Sequence, residues 1–118
     1  MKYTEIFKLK EMLEKANIPF VYKDESWDRP ILNEDWNKII STTKWYHYHI
    51  YYPSDGDERI CSIIQGNGSY GREQDLLEIM GLLTKKEEKH DSVAGYLTAE
   101  DVFKRIQKHY KKSKKENK

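Results

Sequence analysis

One cysteine, Cys61, stands among 118 residues. No disulfide can close within the chain, and a reducing cytoplasm is the expected setting. No run of about 18 apolar residues occurs, which excludes a membrane-spanning helix. The opening MKYTEIFKLKEMLEKAN has charges scattered through it and lacks the continuous apolar centre of a signal peptide. There is no internal repeat and no large excess of charge, since the net value is +1. Three motifs of catalysis are also missing. No Lys-Ser or Lys-Thr pair closes a phosphate loop, no G-x-S-x-G carries a nucleophilic serine, and no H-E-x-x-H offers a zinc helix. No catalytic residue and no cofactor is therefore assigned from the sequence, and a non-enzymatic role is favoured.

What is present suits one small domain. The length fits a single core of modest size, and a two-domain dehydrogenase does not fit. Hydrophobic residues make up 37% and charged residues 35%, so the surface is densely charged. The charge is unevenly placed. Six lysines and one glutamate between Lys108 and Lys118 give +5, which leaves −4 on residues 1–107. Residues 1–110 read as one α+β domain and residues 111–118 as a basic disordered tail. The lysine run reads as a solvated, frayed helix end, with attraction of nucleic acid by counterion release, without reading its sequence, as the alternative.

Along the chain, Ile6, Leu9, Leu13 and Ala16 recur at helical spacing over residues 3–17, and Pro19 ends that helix. Phe20-Val21-Tyr22 reads as a short strand. Residues 24–43 are irregular, with Asn33 as the N-cap of a short helix through Ile40. Trp27 and Trp36 in this segment suggest a flap over the core. Trp45–Tyr52 is an aromatic strand and Ile60–Gln65 its antiparallel neighbour across the turn Pro53-Ser54-Asp55-Gly56-Asp57. Arg72–Leu83 reads as a helix on the strength of Leu76, Leu77, Met80 and Leu83. Asp91–Leu97 does not read as a buried parallel strand. Thr98 caps a last helix to about Tyr110, with Asp101 in a capping box and Leu97 and Val102 as a hydrophobic staple. The expected fold is a small, mostly antiparallel three-stranded sheet, packed with an N-terminal helix and two C-terminal helices.

Two constellations are candidates for binding. The first is Gly66-Asn67-Gly68-Ser69-Tyr70-Gly71, a G-x-G-x-x-G followed by Arg72. A dinucleotide site needs a second parallel strand, which is missing here. A weaker anion site at Gly66, Gly68, Ser69, Tyr70, Gly71 and Arg72 remains, set against the reading of the glycines as a sharp corner. The second candidate is the strand face Trp45, His47, His49 and Tyr51, since alternate residues share a face. It offers rings for a protein partner or for stacked bases. Its two histidines can serve a metal only with a third ligand, from His90, His109 or a carboxylate, and nothing in the sequence fixes that ligand; no metal residue is assigned. Cys61 reads as a small buried residue.

The run CSIIQGNGSYGREQDLLEIMGLL, with GYLTAEDVFKRI after it, resembles small uncharacterised proteins encoded by phages and prophages of Gram-positive bacteria. The likeness covers residues 58–110, and EMLEKANIPF is similar too. It implies a host-cell cytoplasm and a compact α+β fold, and it transfers no site residue. Accessory proteins of that kind commonly bind and redirect a host component. The expected function is thus non-enzymatic binding through protein–protein contacts, as a homodimer or with a host protein. The alternative is a nucleic-acid or nucleotide-ligand module using the glycine loop, the aromatic face and the basic tail.

Overall fold

A computed structural model describes residues 3–116. Helix α1 (Glu5–Lys15) leads into strand β1 (Val21–Asp24), then β2 (Trp27–Leu32), β3 (Ile39–Trp45), β4 (His47–Tyr52) and β5 (Cys61–Gly66). A single 3-10 turn at Arg72–Gln74 precedes β6 (Leu77–Met80). Helix α2 (Lys85–His90), β7 (Val93–Leu97) and α3 (Ala99–Glu116) complete the order. The fold is α+β and its strand pairings are antiparallel, but the described residues form seven strands in two sheets where the sequence suggests three in one.

The main sheet has five strands in the order β1-β4-β5-β6-β7. Its strands alternate, as the pleat requires. Ile50 and Tyr52 of β4, Cys61 and Ile63 of β5, and Leu77 and Ile79 of β6 are buried in the core. Ile6, Leu9 and Leu13 of α1 and Val102 and Ile106 of α3 complete that core. His47, His49, Ser62, Ile64, Glu78 and Met80 line a cleft on the opposite face.

Polar groups lock the helices to the sheet. The first amides of α1 donate to side chains far along the chain: Thr4 N to Asp75 Oδ1 at 2.8 Å and Ile6 N to Gln65 Oε1 at 3.0 Å. Glu5, itself buried, accepts from the first amide of α3, Ala99 N, at 3.0 Å. Both helix starts are thus satisfied by tertiary contacts. The capping box at α3 forms as its residues suggest. Asp101 N donates to Thr98 Oγ1 at 3.1 Å, and Thr98 N donates to Asp101 Oδ2 at 3.2 Å.

Four expectations are corrected. Residues 33–40 are no helix. Asn33 instead ties a hairpin: its Oδ1 accepts from Asn37 N at 3.1 Å and its backbone N–H donates to Lys38 at 2.9 Å. The run Ile39-Ile40-Ser41-Thr42-Thr43, β-branched at four of its five positions, prefers a strand, and β2 and β3 pair as a separate two-stranded ribbon. Trp45–Tyr52 is not one strand, because the chain breaks at Tyr46. Arg72–Leu83 is no helix. Asp75 turns into the left-handed region at φ 56 and its carboxylate is engaged by α1, so the turn ends there. Leu77 and Ile79 then alternate inward as a strand, and Val93–Leu97 is its neighbour β7. Finally, α3 is helical to Glu116, past the expected end at about Tyr110; Asn117 and Lys118 of the expected tail lie outside the described residues.

Candidate functional site

The glycine segment forms a closed corner. A Cβ on Gly66 would stand 2.2 Å from the carbonyl oxygen of Tyr46, so only glycine lets the two backbones approach. Gly71 sits at φ 90. The loop's amides are used internally. Asn67 N donates to Tyr46 O, Ser69 N to Gly66 O, and Tyr70 N to Glu78 Oε1. Buried Ser69 bridges Gly66 through its hydroxyl, accepting from the amide and donating to the carbonyl at 3.0 Å each. A 3-10 turn and a strand follow, so no helix points its N-terminus at this loop. Tyr70 is exposed, and Arg72 reaches back toward Ser69 O. Arg72 also joins Tyr3, Lys44, Trp45, Tyr46 and Asn67 around an open cleft of about 380 Å³.

The four residues of the aromatic face part company. Trp45 ends the ribbon, opposite Trp27 across its strand pair and 5.1 Å below the Arg29 guanidinium. His47, His49 and Tyr51 belong to β4 on the main sheet. Tyr51 is buried, its ring stacked on that of His49 at 3.8 Å, with the Lys23 and Arg59 cations 5.6 and 5.8 Å from it. Lys23 is itself paired with Asp55 at 2.7 Å.

Glu25 completes this group, and its part is invisible in the sequence. It lies just past β1, where the chain leaves the main sheet for the ribbon. Its amide donates to His47 O at 2.8 Å, and the next residue, Ser26, accepts from His47 N at 2.9 Å. The Glu25 carboxylate thereby faces both histidines. Oε1 is 2.9 Å from His49 Nδ1 and 3.6 Å from His47 Nε2. The Tyr51 hydroxyl donates to the other oxygen, Oε2, at 3.0 Å. Burial pushes the Glu25 carboxyl up, but the hydrogen bonds from His49 and Tyr51 outweigh it and hold the group below the usual carboxylate range. At His49 burial wins. It lowers the imidazole's proton affinity against the opposing pull of Glu25, because His49 is the more enclosed of the two. A neutral His49 thus faces an ionised Glu25. His49 Nε2 is buried without a hydrogen-bond partner. The only sequence signal for Glu25 is its position beside β1, which becomes meaningful once β1 is known to pair with β4 in the register Lys23 to His49.

Cys61 faces the core, and burial pushes its thiol up to about 12, which leaves it protonated and unreactive. No helix of the described residues is long and apolar enough to cross a membrane. No family model matches this chain, and neither a curated protein nor a solved structure is similar to it.

Proposed function

We propose that this chain is a non-enzymatic binding protein that acts by self-association, and that the β2–β3 ribbon makes the contact. The observation that carries this reading is the apolar surface of the ribbon. Trp27, Ile31, Leu32, Trp36, Ile39 and Ile40 are all exposed there, Trp36 by 78%. An isolated two-stranded hairpin is only marginally stable in water. One so rich in uncovered apolar groups gains most from a second surface. Among the described residues each of its strands pairs only with the other, so both outer edges offer free backbone groups for strand addition.

The charges favour a second copy as that surface. Residues 27–45 hold Asp28, Glu34 and Asp35 against Arg29, Lys38 and Lys44 and are neutral as a unit. Two ribbons meeting about a two-fold axis bring no net repulsion, and each acid can face a base of the other copy. A host protein as partner, and an origin in a phage or prophage with a cytoplasmic setting, belong to the same proposal as its wider frame.

Solution mass tests it. Sedimentation of the full chain should give a dimer, and a Trp36→Ser/Ile39→Ser variant should weaken assembly at least about tenfold, as loss of an anchor does. Both residues are exposed in the single chain, so the variant should fold. A parent that stays monomeric at about 100 μM, or a variant that assembles like its parent, rejects the reading.

One observation favours a second reading. The cleft between Lys44, Trp45 and Arg72 sets an indole beside two cations, which suits an anionic ligand with a flat ring, such as a nucleotide or a strand of nucleic acid. Quenching of tryptophan fluorescence by an oligonucleotide, abolished by Arg72→Ala and by raised salt, would support it.

A further inference from the structure

We propose that Glu25, His47 and His49 bind one divalent transition-metal ion, with zinc as the best fit. This inference is independent of self-association through the ribbon. One donor atom from each of the three residues falls within a mutual span of 4.8 Å. Tetrahedral zinc with bonds of about 2.0–2.1 Å spaces its ligand atoms roughly 3.3 Å apart. The two distances from Glu25 Oε1, 2.9 Å to His49 Nδ1 and 3.6 Å to His47 Nε2, bracket that value. Small side-chain adjustments would therefore seat the ion without moving a strand.

The donor set is chemically apt. Two imidazoles and one carboxylate suit zinc and its neighbours and are too nitrogen-rich for calcium or magnesium. A metal ligand must be an unprotonated imidazole, so binding releases any proton held at the ligating nitrogens. Tyr51 supplies the outer contact such sites use: its hydroxyl holds Glu25 Oε2 and so orients the ligating carboxylate. The bonds from Glu25 N to His47 O and from His47 N to Ser26 Oγ fix the strand against the corner that bears the third ligand. An ion pair alone accounts for the cluster less well. Two imidazole nitrogens converge on one carboxylate oxygen, as ligands of a shared ion do.

Three protein ligands leave a fourth position free. His47 and His49 also line a cleft of about 320 Å³, with Arg59, Ser62 and Glu78 among its walls. An exchangeable fourth ligand, water or a small anion, can therefore reach the ion. The Arg59 cation in the wall of the same cleft opposes a metal cation. The expected affinity is accordingly moderate, with a dissociation constant below about 10 μM.

The test uses the full chain, free of any histidine tag and stripped with a chelator. Calorimetric titration with zinc chloride should give one ion per chain. Cobalt(II) should give the visible absorption of a four-coordinate N/O site. Glu25→Gln, His47→Ala and His49→Ala should each weaken zinc at least about tenfold, while His90→Ala and His109→Ala leave it unchanged. Circular dichroism checks that each variant folds. Should His49→Ala fail to fold, the more exposed His47 decides through His47→Ala. Imidazole nitrogen resonances of His47 and His49 should shift together on zinc addition. A folded parent that binds no zinc, zinc binding indifferent to Glu25→Gln and His47→Ala, or binding that moves to His90 or His109 would each overturn the proposal.

Discussion

At the scale of single residues, the glycine corner is a matter of backbone clearance. Gly66 is hemmed by Tyr46 O, whereas a Cβ on Gly68 would meet nothing closer than the Trp45 ring at 3.8 Å. Gly66→Ala should thus cost about 1–3 kcal/mol, as forced overpacking does, and Gly68→Ala should stay within about 0.5 kcal/mol. Urea unfolding of the two variants separates them; equal midpoints would refute the assignment. A second residue-scale expectation concerns acid. Arg105 grips both oxygens of Glu87 at 2.8 and 2.9 Å, and the Thr84 amide donates to it at 2.8 Å. These bonds hold its carboxyl at about 2. A depressed folded-state value stabilises above the unfolded value, and that stabilisation fades as pH falls through the folded one. The stability gap between the parent and Glu87→Gln should therefore be full at neutral pH and shrink between about pH 4.5 and 2. A gap constant over that window would show that the pair contributes nothing through Glu87's charge.

At the scale of elements, β1 and β4 are the base of one long antiparallel hairpin, and β2 and β3 are its outer half. The bend lies at Glu25-Ser26 on one side and Tyr46 on the other. Excising residues 27–45 and joining Ser26 to Tyr46 through Asn-Gly should leave the five-stranded sheet folded, because the side chains of the ribbon contribute nothing to the buried core. The check is a cooperative thermal transition in the shortened chain, together with loss of self-association; a chain without such a transition would make the ribbon part of the fold. The elements that the sequence reveals are α1, the β4–β5 hairpin and α3, each with a strong local signal: helical spacing, aromatic alternation with a Pro-Asp-Gly turn, and a capping box. Those it conceals are short or ambiguous. Leu76, Leu77, Met80 and Leu83 fit a helical stripe, while Leu77 and Ile79 equally fit a strand. Only the capture of Asp75 by the start of α1, 71 residues away in sequence, decides between them.

At the scale of the whole molecule, the departure of the ribbon from the sheet predicts an elongated shape. The radius of gyration is 16.7 Å and the long axis 62 Å, against roughly 13.5 Å for a compact domain of this length. Small-angle scattering on the excised chain should return a value near the compact one. A shortened chain that keeps the larger radius would show that the body itself is elongated.

By itself the sequence determined the α+β class, a single buried unreactive cysteine, the caps of the last helix, and the two-sided character of the strand that bears His47 and His49. Each of these rests on neighbours within a few residues, where propensity, period and hydrogen-bonding reach are local. The tertiary structure decided that β1 lies against β4, that the segment between them leaves the sheet as an apolar ribbon, and that Glu25 meets both histidines at hydrogen-bonding distance. Strand pairing joins residues distant in sequence through backbone groups that every residue carries, so its register is not written in any one side chain. It is fixed by which faces the helices bury, and that is settled only when the whole chain packs.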